Sequence, residues 1–72
     1  MGYYVIKKAK NAPLSKTLLG GGLQQYYFVL KASNGETIAT SEMYNSKQAA
    51  QQGINSVRIN APAITVRDET HL

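Results

Sequence analysis

The chain contains no cysteine and no tryptophan among its 72 residues, and its single histidine, His71, stands next to last. Such a set excludes disulfides, thiolate zinc sites and histidine-rich metal sites. Acids are scarce. Glu36, Glu42, Asp68 and Glu69 stand against eight Lys+Arg, for a net charge of +4. Hydrophobic runs are short, and none approaches the ~18 apolar residues of a membrane helix. The opening Met1-Gly2-Tyr3-Tyr4-Val5-Ile6 meets lysines before it reaches the length of a signal-peptide core. Ile6 occupies the position where N-myristoylation of Gly2 needs Ser or Thr. The expectation is a soluble cytoplasmic protein with no membrane contact, no metal and no cofactor.

A chain of this length holds one domain, 1–72. Its core is marginal, because a domain of ~60 residues buries only about 60% of its unfolded surface. Disulfides, metals and oligomerisation are the usual supports for small domains. Only oligomerisation is open to this composition.

Tyr3-Tyr4-Val5-Ile6-Lys7-Lys8 is aromatic and β-branched, and predicts a first strand. Tyr4, Ile6 and Lys8 share one face of it; Tyr3, Val5 and Lys7 share the other. Residues 25–32 predict a second strand. Asn34-Gly35 then signals a two-residue type I′ hairpin, which needs positive φ at both positions. Residues 37–42 form the third strand. That turn sets a register in which Lys31 faces Ile38, Val29 faces Thr40 and Tyr27 faces Glu42. On the opposite face Ala32 meets Thr37, Leu30 meets Ala39, Phe28 meets Ser41 and Tyr26 meets Met43.

Asn45 and Ser46 are both helix-capping residues, and Lys47-Gln48-Ala49-Ala50-Gln51-Gln52 favours a helix. Ala50, Gly53, Ile54, Val57 and Ala61 make one apolar stripe. Gly53 on that stripe implies a close approach to the sheet. Pro62 ends the helix. Ile64, Thr65, Val66 and Arg67 alternate and read as a last strand, before a polar tail at 68–72. The fold class is α+β, a β-β-β-α-β unit with an antiparallel sheet and one helix on one face.

Residues 11–24 differ in composition. Pro13 and the run Gly20-Gly21-Gly22 oppose regular structure. The expectation is an exposed excursion from an otherwise intact first hairpin. Its leucines, Leu14, Leu18, Leu19 and Leu23, have a sheet edge or a subunit seam to cover.

Chemistry-bearing patterns are weak. Ser15-Lys16-Thr17 ends like a phosphate-binding loop, but its glycines come after the lysine. Glu36 and Glu42 share a face at opposite ends of a strand, roughly 20 Å apart at ~3.4 Å per residue. A glycosidase pair stands about 5–9.5 Å apart. The serines lack a base, since His71 lies in the tail.

The hairpin Tyr26-Tyr27-Phe28-Val29-Leu30-Lys31-Ala32-Ser33-Asn34-Gly35-Glu36 resembles the core motif of the YegP-like family of small bacterial domains. So does Ile38-Ala39-Thr40-Ser41-Glu42-Met43-Tyr44-Asn45-Ser46-Lys47, followed by Ala49-Ala50, Gly53-Ile54, Ser56-Val57 and Asn60-Ala61. No biochemical activity is established for that family. The resemblance implies a β3-αβ unit that works in pairs, as tandem repeats or as dimers, with one continuous sheet and exchanged last strands. For this single copy it implies a homodimer that donates Ile64, Thr65, Val66 and Arg67 to the partner. It also marks 11–24 as an insertion in the first hairpin.

The functional expectation is a homodimeric interaction or structural module without catalysis. The alternative is a weak nucleic-acid binder using Lys7, Lys8, Tyr27, Lys31 and Arg67 on a basic, aromatic sheet surface.

Overall fold

A computed structural model describes residues 1–10 and 24–71. The expected excursion at 11–24 therefore lies outside the described residues, Gln24 excepted. Strands β1 (Tyr3–Lys8), β2 (Tyr26–Lys31) and β3 (Thr37–Thr40) precede helix α1 (Lys47–Asn60). The strands form an antiparallel sheet in the order β1-β2-β3. Helix α1 lies across β2 and β1 and does not reach β3.

The first hairpin is regular from Tyr3↔Lys31 to Lys8↔Tyr26. The ladder continues past the strands, as the Ala9 N–H donates to the Gln25 carbonyl at 2.8 Å. Gln24 then donates its Nε2 to the carbonyls of Ala9 at 2.7 Å and Gln25 at 2.9 Å. These bonds tie together the chain on either side of 11–23.

The second hairpin departs from expectation at both ends. The Gly35 N–H donates to the Ala32 carbonyl, and the Ala32 N–H to that of Glu36, both at 2.8 Å. Gly35 has φ 89°, whereas Asn34 has no positive φ. The loop is thus Ser33-Asn34-Gly35 rather than a two-residue type I′ turn, and only its last position is left-handed. The Asn34 side chain explains the choice. Its Oδ1 accepts the Glu36 N–H at 3.0 Å, a bond to the backbone two residues on. The longer loop shifts the register by one beyond Leu30, so that Lys31 pairs with Thr37 instead of Ile38. Val29↔Thr40 and Leu30↔Ala39 stand as expected.

At the other end Ser41 changes the ladder. Its N–H donates to the Phe28 carbonyl at 2.9 Å. The Phe28 N–H returns a bond to the Ser41 hydroxyl at 2.9 Å, not to its carbonyl. That hydroxyl donates to the Glu42 carbonyl at 2.8 Å. The next bonded pair is Tyr26 with Tyr44, through two backbone bonds of 2.8 and 2.7 Å. Glu42 and Met43 therefore both oppose Tyr27, which is a β-bulge. The bulge ends β3 at Thr40 rather than at 42. It also puts Tyr44, not Met43, on the face of Tyr26 and Phe28. The Tyr44 ring stacks on Phe28 with centroids 6.1 Å apart and planes at 16°, while Met43 is exposed.

Ser46 is the N-cap of α1, its hydroxyl accepting the Ala49 N–H at 3.0 Å. Ala50 and Ile54 are buried from the helix side, and Phe28 from the sheet. Full burial of a side chain such as Phe28 or Ile54 is worth about 1.5–3 kcal/mol. Tyr4 meets Phe28 edge-on at 6.0 Å. Ala61, expected on the stripe, is exposed beyond the helix end.

The expected last strand is not formed within the single chain. Ile64, Thr65, Val66 and Arg67 pair with no strand among the described residues, and Ile64 is 94% and Val66 88% exposed. A strand exists only as part of a ladder, and these residues have none to join.

A Cβ built on Gly53 would meet the Tyr44 hydroxyl, and would lie 2.8 Å from Tyr44 Cζ and 3.0 Å from Phe28 Cε2. Gly53→Ala gains about 1 kcal/mol of helix propensity but loses about 1–3 kcal/mol to overpacking. The expected result in urea unfolding is a net loss of about 1 kcal/mol, reduced in a Tyr44→Phe background. A more stable Gly53→Ala protein would contradict this account of the packing.

Candidate functional site

Two surfaces remain available, the helix-free face of the sheet and the edge-plus-arm formed by β3 and residues 64–67. Strand alternation puts Lys7↔Tyr27, Val5↔Val29 and Tyr3↔Lys31 on the helix-free face. Thr40 joins this face opposite Val29, and Ile38 by alternation. Val29 is buried between its neighbours; Tyr3 and Lys7 are exposed, and Tyr27 and Lys31 half-buried. Each end of the face thus carries one tyrosine and one lysine on opposite strands. The two ends are four residues apart, roughly 13 Å at ~3.3 Å per residue. Lys31 bends back, its ammonium donating to the Gly35 carbonyl at 3.4 Å.

The five residues proposed from sequence for nucleic-acid contact are therefore not one cluster. Lys7, Tyr27 and Lys31 share the helix-free face. Lys8 pairs with Tyr26 and belongs to the opposite face. Arg67 lies in the exposed arm, where it pairs with Glu69 at 3.1 Å. Both side chains are largely solvated, so the pair is worth little. Glu42, read from sequence as a hydrogen-bonding carboxylate, supplies its backbone carbonyl to the bulge instead.

On the second surface, all four residues of β3 are exposed. The apolar side chains open to solvent include Ile38, Met43, Ile59, Ile64 and Val66. Ile64 and Val66 stand two apart on the arm, so an extended arm would present both on one side. A shallow depression of about 470 Å³ is bounded by Asn55, Arg58 and Ile59 on the outer side of α1. Past the arm, Asp68 accepts the Thr70 N–H at 3.0 Å and the Thr70 hydroxyl at 2.7 Å. The backbone bond first, and the hydroxyl second, hold the Asp68 carboxyl below its ordinary pKa. Among the described residues, no three of His, Cys, Asp and Glu gather as a metal site. No helix among them is long and apolar enough to cross a membrane.

Sequence reasoning missed Ser41 and Tyr44 as the residues that shape β3. The signal was present in the stretch Ser41-Glu42-Met43-Tyr44, a run that cannot alternate evenly if Ser41 and Tyr44 both face the helix side.

Residues 24–68 match the family described as a domain of unknown function (DUF1508). A UPF0339 protein of Photorhabdus laumondii is 51% identical over 63 residues, 88% of this chain and 45% of that protein. The UPF0339 protein YegP of Yersinia pestis is 52% identical over 62 residues, covering 86% and 45%. The chain thus spans somewhat under half the length of these curated relatives. A solution structure of a protein from Haloferax volcanii superposes with a TM-score of 0.60 at 30% identity, over 94% of this chain and 98% of that one.

The Asp68 turn yields a pH prediction. A lowered carboxyl pKa means that the turn's contribution is full above the ordinary Asp value and disappears as pH falls through the lowered one. Thr70→Ala should move the Asp68 titration upward, toward the ordinary value, in a carboxyl-detected NMR titration. An unmoved midpoint would mean that Thr70 does not hold the carboxylate.

Proposed function

We propose, on the premise that this chain belongs to the DUF1508 (YegP-like) family, that it acts as a homodimeric interaction module without catalysis. The family is described as one of unknown function, and the relatives named above carry no enzymatic name. The observation that carries the reading is the arm at 64–67, where two β-branched apolar residues stand open to water without a ladder. Burial of Ile64 and Val66 at about 1.5–3 kcal/mol each gives about 6–12 kcal/mol for two reciprocally exchanged arms. Association costs about 4–15 kcal/mol, so the arms need their strand hydrogen bonds and the exposed Ile38 and Met43 as well.

Relative lengths support the pairing. The Photorhabdus and Yersinia proteins are long enough to hold two such units in one chain. The Haloferax protein, matched over 98% of its length, is the size of one. The absence of catalysis rests on the composition, with no cysteine and a single histidine at position 71.

Light scattering should return a mass about twice 7.9 kDa at micromolar concentration. The double variant Ile64→Asp, Val66→Asp should be monomeric with unchanged far-ultraviolet dichroism. A monomeric parent protein would sink the reading.

A second reading rests on Lys7, Tyr27 and Lys31 sharing the helix-free face. Aromatic rings there offer stacking and the lysines phosphate contacts to single-stranded nucleic acid. Anisotropy with labelled oligonucleotides at ~50 mM salt should then show binding that weakens steeply as salt is added. No binding at that salt removes this reading.

A further inference from the structure

We propose that the free edge of β3 is the acceptor for the exchanged arm of a second copy, so that 64–67 of one chain adds a strand beside Thr37–Thr40 of the other. This rests on the homodimer reading and assigns its docking edge.

Backbone direction comes first. Ser41 and Phe28 form a hydrogen-bonded pair, so by alternation Ala39 also turns its backbone groups toward β2. Thr40, paired with Val29 between those two, turns its N–H and carbonyl outward, away from the sheet. The same alternation on β1 starts from the bonded pair Ala9 and Gln25, and turns the backbone of Lys8 outward. Each outer strand therefore has an outward row that a further strand can read.

The two edges differ in chemistry. An edge strand is commonly protected from pairing by lysines. β1 ends in Lys7-Lys8, with Lys10 just beyond. β3 is Thr-Ile-Ala-Thr, uncharged and β-branched at three of four positions. Its length equals that of the four-residue arm.

Charge selects the same edge. The arm ends in Arg67, which the lysines of β1 would repel. Glu36 and Glu42 bracket β3 at its two ends, and both are exposed. Whether the arm runs parallel or antiparallel, Arg67 comes to rest near one of these carboxylates. In the single chain its partner is only the solvated Glu69 beside it.

Packing agrees as well. Helix α1 covers β1 and β2 but leaves β3 bare, with Ile38 61% exposed. An added strand carrying Ile64 and Val66 on one side gives this part of the sheet apolar neighbours that its own helix does not supply.

Proline distinguishes the edges, because it removes an N–H that points away from the sheet and spares the inner ladder. Thr40→Pro and Lys8→Pro are compared with the parent protein by light scattering over a dilution series. The expected result is a dimeric parent, a dimeric Lys8→Pro, and a Thr40→Pro that is monomeric at concentrations where the parent is fully dimeric. Amide hydrogen exchange on the unaltered protein gives a measurement that does not depend on either variant folding. The Thr40 N–H should gain protection with protein concentration, and the Lys8 N–H should not. Concentration-dependent protection at Lys8 with none at Thr40 would move the arm to β1 and overturn the proposal. So would two proline variants that both remain dimeric. A monomeric parent overturns the homodimer reading itself, whereas a dimeric parent with an unprotected Thr40 overturns the edge assignment alone.

Discussion

The contact of Tyr44 with Phe28 and Gly53 is the constraint on which the rest of this small fold depends. Phe28 is the aromatic centre of the sheet, met edge-on by Tyr4 and stacked by Tyr44. The helix lies close enough for Gly53 to touch both rings of the stacked pair. A side chain at that position would push the helix off the sheet. The arrangement needs Tyr44 on the helix side, and Tyr44 is there because one extra residue is accommodated after Ser41. The Ser41 hydroxyl makes that possible by accepting the Phe28 N–H that the backbone carbonyl gives up. A buried N–H without a partner costs about 1–3 kcal/mol, so the substitution of hydroxyl for carbonyl is what lets the bulge exist beside the core.

The same economy leaves the sheet incomplete. A helix of 14 residues on a three-stranded sheet covers two strands, and the third keeps both faces in water. The described residues bury four apolar side chains, Phe28, Val29, Ala50 and Ile54. That is a small core for a chain that has neither disulfide nor metal to help it. The apolar residues that would enlarge it are at hand but outside, on β3, on the outer side of α1 and on the arm. A second copy is the simplest way for them to be covered, and the exposed arm is the element with the most to gain.

The helix-free face has a different character. Its middle is aliphatic, with Val5 beside Val29, and its ends pair tyrosine with lysine. Lysine stems covering aromatic or aliphatic neighbours are common on solvated sheets. What distinguishes this face is that the sheet pairs place its two lysines and two tyrosines at diagonally opposite corners, a placement that no count of charges could foretell.

The strands, the helix from 47 to 60, its stripe and the close approach at Gly53 were all legible in the sequence. These features are local: β-branched alternation, capping residues, 3.6-residue periodicity and a glycine among apolar positions each act over a few residues. The family was legible for the same reason, since its motif is a continuous hairpin running into a helix cap. What the tertiary structure alone decided was register. Asn34 bonds to the Glu36 backbone and turns an expected two-residue loop into three. Ser41 and Tyr44 compete with even alternation, because stacking on Phe28 rewards a bulge that neither residue would adopt in isolation. Lys8 faces away from Lys7 whatever their adjacency in sequence, because successive residues of a strand point to opposite sides. The arm at 64–67 carries the alternation of a strand in its sequence, yet a ladder is a property of two strands, and within one chain the second is missing.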